Sequence, residues 1–374
     1  MDPCHSPEPP SRRSELPEVS GRTLERGQGG TDEDPPLRLT SNENRMGLPQ
    51  SIRDAVVEAF EDAHIYPDDS CAELTRALAE RHRVAPDSIV HGHGSTELLR
   101  ISVCVLAVEG SRFRLVMANP TFEQLVGYAD PYGPELVEVP LLRDSWAHDV
   151  EGMKREVQQD QARALVYVCN PNNPTGTLTP VDQIREWIEE ASPRHFFVVD
   201  EAYFEFVDDP SYETLARLAA ERPNVIVLRT FSKIFSMAGI RVGYAVAHPE
   251  TAARLKKFRS GRGPNHLGNR AALAALRDPA IVQRALKSTR EARTVVYGVL
   301  DELGLEVMES HTNFVMHEVG GPVHRYVERM ADAGFQVGRP FGALPTHNRL
   351  SLGTPDEMRG WADALRDFRR RRWV

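Results

Sequence analysis

Short apolar runs that break off into polar, turn-rich clusters recur through the middle of this chain. They restrict its fold more than any other feature. Arg112–Ala118, Leu136–Val139, Leu165–Cys169, Phe196–Asp200, Val225–Arg229 and Val242–Val246 are each apolar or β-branched, and each is bounded by turn signals. Between several of them lie longer stretches with helical spacing, such as Val181–Glu190 and Tyr212–Glu221. Strands that alternate with helices predict an α/β fold with a mostly parallel sheet covered on both faces. Such sheets bind ligands beyond the carboxyl ends of their strands. The residues just after each run are therefore where chemistry is to be sought.

The flanks are patterned differently. Ala271–Leu276 and Ile281–Leu303 read as helices, Glu306–Met308 and Asn313–His317 as strands, and Val323–Ala333 as a helix. Arg349–Leu352 then reads as a strand and Asp356–Arg370 as a closing helix. This mixed order predicts a smaller α+β domain, joined by the amphipathic stretch Ser51–Glu61. The basic run Arg369–Arg372 reads as a solvated helix end that suits the macrodipole. The first 36 residues are rich in Pro, Gly, Ser and charge and nearly free of large apolar side chains. They cannot offset their ordering entropy and are expected to be a disordered arm, with no apolar core of a signal peptide. A chain of 374 residues has room for two domains. The expected division is an arm at 1–36, a joining segment at 37–65, a large domain at 66–265 and a small domain at 266–374.

Charge and cysteine content exclude several classes of function. Lys and Arg number 45 against 54 Asp and Glu, for a net charge of −9. That disfavours a general binder of nucleic acid or of an anionic membrane. No apolar run reaches the length of a membrane span. The four cysteines show no paired spacing, so neither a disulfide framework nor a metal site is expected. Reduced thiols in a cytoplasmic protein are the simple reading.

The strand ends carry the unusual residues. Leu165–Cys169 is followed by Asn170-Pro171-Asn172-Asn173-Pro174-Thr175-Gly176, whose prolines and glycine force a defined turn. Phe196–Val199 is followed by Asp200-Glu201-Ala202-Tyr203. A carboxylate at the end of a buried strand is costly without a cationic partner, although Asp200 alone could equally cap a helix. Val225–Arg229 is followed by Thr230-Phe231-Ser232-Lys233, then Gly239 and Arg241. A lysine among apolar neighbours is a candidate for a desolvated amine able to form a Schiff base. Taken alone, it also reads as an ordinary snorkelling lysine.

Taken together and in order, NPNNPTG, DEAYFEF and TFSKIFSMAGIRVGY resemble the fold type I aminotransferases that use pyridoxal 5′-phosphate (PLP). Within that group the chain is most similar to the histidinol-phosphate aminotransferase branch. Supporting matches are SNEN (Ser41–Asn44), HGHGSTELL (His91–Leu99), NPTF (Asn119–Phe122), TNFV (Thr312–Val315) and RLSLGT (Arg349–Thr354). The resemblance spans nearly everything from Leu37 onward. It implies an aspartate-aminotransferase-like fold: a large domain with a mostly parallel seven-stranded sheet and a smaller α+β C-terminal domain.

The resemblance also implies roles. Lys233 would form the Schiff base with PLP and then move protons as general acid and base. Asp200 would pair with the pyridine nitrogen, Tyr203 and Asn173 would bond the ring hydroxyl oxygen, and Phe122 would stack on the ring. Ser95, Thr96, Ser232 and Arg241 would hold the phosphate, with Tyr66 reaching the phosphate of a neighbouring subunit in a homodimer with shared sites. Arg349 would bind the substrate carboxylate, with Asn42 and Arg339 as further substrate-binding candidates. The partners implied are a small-molecule amino donor and a keto-acid acceptor. Two departures stand out: Arg45 and Met46 replace usual turn residues after SNEN, and Phe122 stands where many relatives carry Tyr. An aminotransferase is the expected activity. A PLP-dependent lyase, cyclase or decarboxylase on the same scaffold is the alternative.

Overall fold

The computed structural model describes residues 35–373 apart from 69, 108–111, 160–161 and 260–264. The expected arm over 1–36 thus lies outside the described residues, except for its last two positions. In chain order the described strands are β1 (Leu37–Arg38), β2 (Ile89–Gly92), β3 (Phe113–Asn119), β4 (Glu135–Pro140), β5 (Arg163–Cys169) and β6 (His195–Asp200). They continue with β7 (Val225–Thr230), β8 (Gly243–Val246), β9 (Phe314–Glu318), β10 (Phe335–Gln336) and β11 (His347–Ser351).

Strands β2 to β8 form one seven-stranded sheet in the order β2-β8-β7-β6-β5-β3-β4. Only β8 runs against its neighbours, β2 and β7; every other neighbouring pair is parallel. The central strands are apolar at nearly every position because both faces are covered. Val166, Val168, Phe197, Val199 and Val227 join the core on one face, and Leu165, Tyr167, Phe196, Val198 and Leu228 join the core on the other. A two-residue period thus divides each run between two cores.

The C-terminal part has its own core and a small antiparallel pair, β9 with β11. The helices Pro279–Leu303 and Pro355–Arg370 bury Val296, Leu300, Trp361 and Leu365 there. Sequence fixes both helix starts. Asp278 caps the first by accepting from Ala280 N, and Thr354 and Glu357 form a reciprocal capping box on the second. The start of the N-terminal segment is tied to this part, since β1 pairs with β10 and Ser351 N donates to Leu39 O at 3.2 Å, while Ile52 further along joins a core of the large sheet.

Three local expectations change. Ile89–Gly92 is a full strand although its run, Ile-Val-His-Gly, carries a histidine and a glycine. Glu306–Met308 makes only a single bridge, Val307 to His317, on the edge of β9 opposite β11, with Met308 N donating to the Met316 carbonyl and Glu318 N to the Glu306 carbonyl. The helix expected over Tyr212–Glu221 is confined to Ala216–Glu221, since Thr214 and Leu215 are drawn into hydrogen bonds with the Glu201 carboxylate.

Candidate active site

Register brings the strand ends level. Cys169 on β5 faces Asp200 on β6, and Asp200 faces Leu228 on β7. The polar segments that follow these strands therefore open into one place, a cavity of about 370 Å³. Asn173, Asp200, Tyr203, Ser232, Lys233 and Arg241 all line it. Ser95 and Thr96 reach it from the start of the helix Ser95–Ala107, and Phe122 from the loop after β3. Arg349 enters from β11, and Asn42 from the segment after β1.

Lys233 is half-buried, and the desolvation it suffers there pushes its amine down to about 8, helped by the Arg349 charge. Its Nζ donates to the Ser41 carbonyl at 3.1 Å. Asp200 is 3% exposed, and burial pushes its carboxyl up to about 6. Tyr167 donates to it at 3.2 Å and Ala202 N at 3.1 Å, two neutral donors in place of a cation. Burial also pushes the Tyr203 phenol up. Its ring packs edge-on to Phe314, with the Lys233 amine 5.6 Å from its centroid.

Arg349 Nη1 donates to Asn173 Oδ1 at 2.7 Å and Nη2 to the Thr40 carbonyl at 2.6 Å. Both acceptors are neutral, and burial lowers the guanidinium pKa. The fork that an Arg offers to a carboxylate is thus held in place without a carboxylate. Arg241 is bound the same way, to the Ala238 carbonyl at 2.7 Å and the Ser232 hydroxyl at 3.4 Å. Two glycines let it approach the helix start. A Cβ on Gly94, at φ 78°, would fall 2.5 Å from Arg241 Nη2, and a Cβ on Gly243 would fall 2.5 Å from the Ser95 amide. Backbone donors, hydroxyls and a guanidinium at a helix N-terminus form an anion cradle.

Two sequence candidates lie elsewhere. Arg339 lines an adjoining cavity of about 340 Å³ that shares Phe122, Asn173 and Arg349 with the first. There it pairs with Glu123 and stands 4.4 Å from the Phe341 centroid. Tyr66 is 83% exposed and does not line the cavity of its own chain.

Sequence reasoning passed over Arg229, Glu201 and Glu205. Arg229 is 1% exposed and donates to Glu201 Oε2 at 2.9 Å and Glu205 Oε1 at 2.6 Å. The signal was visible as an arginine near the end of an otherwise apolar strand, with two acids in the preceding strand-end segment. Ser351 and Asn313, which hold Asn42, were also passed over as site residues.

The model for aminotransferases of class I and II matches residues 34–365. The chain belongs to this family. It is a fold type I aminotransferase with PLP as its cofactor. The histidinol-phosphate aminotransferase of Symbiobacterium thermophilum is 35% identical over 94% of this chain and 95% of that protein. The enzyme of that name from Caldicellulosiruptor saccharolyticus is 31% identical over 88% and 91%. A structure of histidinol-phosphate aminotransferase from Sinorhizobium meliloti, in complex with PLP, superposes with a TM-score of 0.81 at 28% identity. It covers 89% of this chain and 92% of its own. Among the described residues, no helix is long and apolar enough to cross a membrane.

Proposed function

We propose that this aminotransferase takes its amino group from an amino acid or amino-alcohol phosphate of the histidinol-phosphate type, with a keto acid as acceptor. One observation carries the reading. A single cavity gathers a half-buried amine with its pKa lowered to about 8 (Lys233), a buried carboxylate without a cationic partner (Asp200) and two guanidiniums held by neutral oxygens (Arg241, Arg349). Each group suits a different part of PLP or its amino-acid partner, so the residues fit the cofactor.

Bound PLP supplies an electron-withdrawing ring that stabilises negative charge at the substrate Cα. The chain's residues do the rest. Lys233 holds the aldehyde carbon and then accepts and returns a proton at Cα; its lowered pKa suits both directions. Asp200 keeps a proton on the ring nitrogen and gains the cation its burial calls for. Tyr203 and Asn173 bond the ring hydroxyl oxygen, and Phe122 covers the ring face. Ser95, Thr96, Ser232 and Arg241 hold the phosphate, and Arg349 holds the substrate carboxylate in a bidentate pair. The adjoining cavity takes the far end of the substrate, where a phosphate would displace Glu123 from Arg339.

We place Tyr66 at the phosphate of a second copy, in a homodimer. Val57, Phe60, Ile65 and Tyr66 are exposed together along the helix Gln50–Ala59 and the segment after it, which supports an interface there. Residues 66–265 and 266–374 (with 37–65) are proposed as the two domains. Buried Cys104 and Cys169, neither in a disulfide, suit a cytoplasmic setting.

The test is a visible spectrum of the PLP-loaded protein taken through a panel of amino donors, with the cofactor product identified. Conversion to pyridoxamine phosphate, greatest with histidinol phosphate, is expected. Release of ammonia or carbon dioxide without pyridoxamine phosphate would replace transfer by elimination or decarboxylation.

A further inference from the structure

Tyr203 has one hydroxyl proton, and its neighbours decide where that proton points. Asn42 lies beside it, 2% exposed, on left-handed backbone with φ 55°. The Asn42 main-chain N–H can only donate, and it donates to Ser351 Oγ at 2.8 Å. Ser351 Oγ accepts there and donates its own proton to Asn42 Oδ1 at 2.9 Å. The carboxamide has its oxygen toward Ser351 and its nitrogen toward Tyr203, and Nδ2 donates to the phenolic oxygen at 2.9 Å. Asn313 Nδ2 holds the Asn42 carbonyl at 2.9 Å, which pins the backbone that carries the amide.

A phenol offers one donor and can accept as well. With Asn42 donating to the oxygen, the Tyr203 proton is turned away from Asn42, and Tyr203 lines the cavity. Asn173 is oriented by the same logic. Its oxygen accepts from Arg349, which leaves its amide hydrogens for the cavity.

We propose that Asn42 is a positioning residue that aims the Tyr203 hydroxyl proton into the cavity, so that Tyr203 donates to the ring hydroxyl oxygen of PLP. Asn42 thereby acts through Tyr203 rather than by lining the substrate mouth. The proposal rests on the cofactor roles given above to Lys233 and Tyr203. A donor at the ring oxygen stabilises its anion and weakens proton binding at the lysine-linked nitrogen beside it. Losing that donor raises the pH midpoint of the visible band.

The experiment is a pH titration of the visible absorbance of the PLP-loaded protein. It uses a double-substitution cycle of Asn42→Gly and Tyr203→Phe. Glycine removes the amide but tolerates the backbone conformation. Tyr203→Phe should raise the midpoint by about one to two pH units. Asn42→Gly should raise it by about half as much when Tyr203 is present, and by nothing in the Tyr203→Phe background. Ser351→Ala, which frees the Asn42 amide to turn over, should give a smaller rise with the same dependence on Tyr203. It carries the cycle if Asn42→Gly does not fold. An unchanged midpoint, or equal shifts with and without the Tyr203 hydroxyl, overturns the proposal. If Tyr203→Phe itself leaves the midpoint unmoved, the cofactor role of Tyr203 falls first and the inference falls with it.

Discussion

Two clusters of charge, one buried and one lining the cavity, sit at the ends of the same pair of strands and are built in opposite ways. Asp200 ends β6 and Glu201 follows it; Arg229 lies in β7 and Lys233 comes shortly after. Glu201 and its neighbours pair opposite charges: Arg229 bridges Glu201 and Glu205. Glu201 accepts from Arg229, the Thr214 hydroxyl at 2.6 Å and Leu215 N at 2.8 Å, and the Arg229 guanidinium lies 4.1 Å from the Phe204 centroid. His82 nearby is held neutral, its pKa pushed down to about 3 by burial and then by Arg229. Across the strand ends, Lys233, Arg241 and Arg349 make their hydrogen bonds to carbonyls, a hydroxyl and an amide oxygen. A buried charge paired with opposite charges is part of the scaffold. Charges in the cavity held only by neutral groups retain capacity for a ligand.

The sharpest way to break this contrast is to remove one cation from each cluster. Lys233→Met should lower turnover by about 10³-fold or more. Without PLP, the same change should make the protein more stable. The folded pKa of Lys233 is about 8 against an ordinary 10.5, so folding disfavours the charged amine. That penalty is complete below about pH 8, amounts to about 3 kcal/mol, and fades as pH rises to 10.5. Urea unfolding of the apo proteins should therefore show the gain at pH 7 and little of it near pH 10.5. Arg229→Leu should do the reverse and cost about 3–5 kcal/mol, because Glu201 and Glu205 stay buried without their cation. A stability loss from Lys233→Met larger than that from Arg229→Leu would end the distinction.

A smaller effect sharpens the division of labour inside the cavity. Arg349→Ala should raise KM for amino donors by about 10- to 100-fold while PLP affinity, measured by absorbance titration, moves less than about threefold. Equal losses would show that Arg349 serves the cofactor as well. Smallest is the effect of pH on cofactor capture. Only the neutral amine attacks the aldehyde. The rate of PLP capture by the apo protein should rise up to about tenfold per pH unit below 8 and level off above it. A flat profile from pH 6 to 9 would contradict the lowered pKa.

The sequence made the sheet legible because both of its faces are covered, so its runs are nearly unbroken apolar strings. Ile89–Gly92 lacks that mark and escaped notice. The cavity was legible because its residues follow strand ends in order, and parallel strands in register bring such residues together. Asn42 was legible only as a substrate-binding candidate, since its partners, Ser351 and Asn313, come from the far end of the chain. Local spacing carries no trace of that kind of contact. The Arg229 cluster was legible only in part. The arginine in an apolar strand and the two acids stand in the sequence, but only their mutual distances show that they pair.

The hydrogen bond from Arg349 to the Thr40 carbonyl joins positions 309 residues apart. Its consequence lies in the order of synthesis. A ribosome adding roughly 5–20 residues per second takes roughly 15 to 60 seconds to go from one to the other. Through that interval the central strands can pair while the segment carrying Thr40 and Asn42 waits for β10 and β11 to emerge. Lys233 is made well before the strand that completes its surroundings. The working centre is therefore among the last parts of the protein to be finished, and a nascent chain stopped short of Arg349 would carry the sheet without the site.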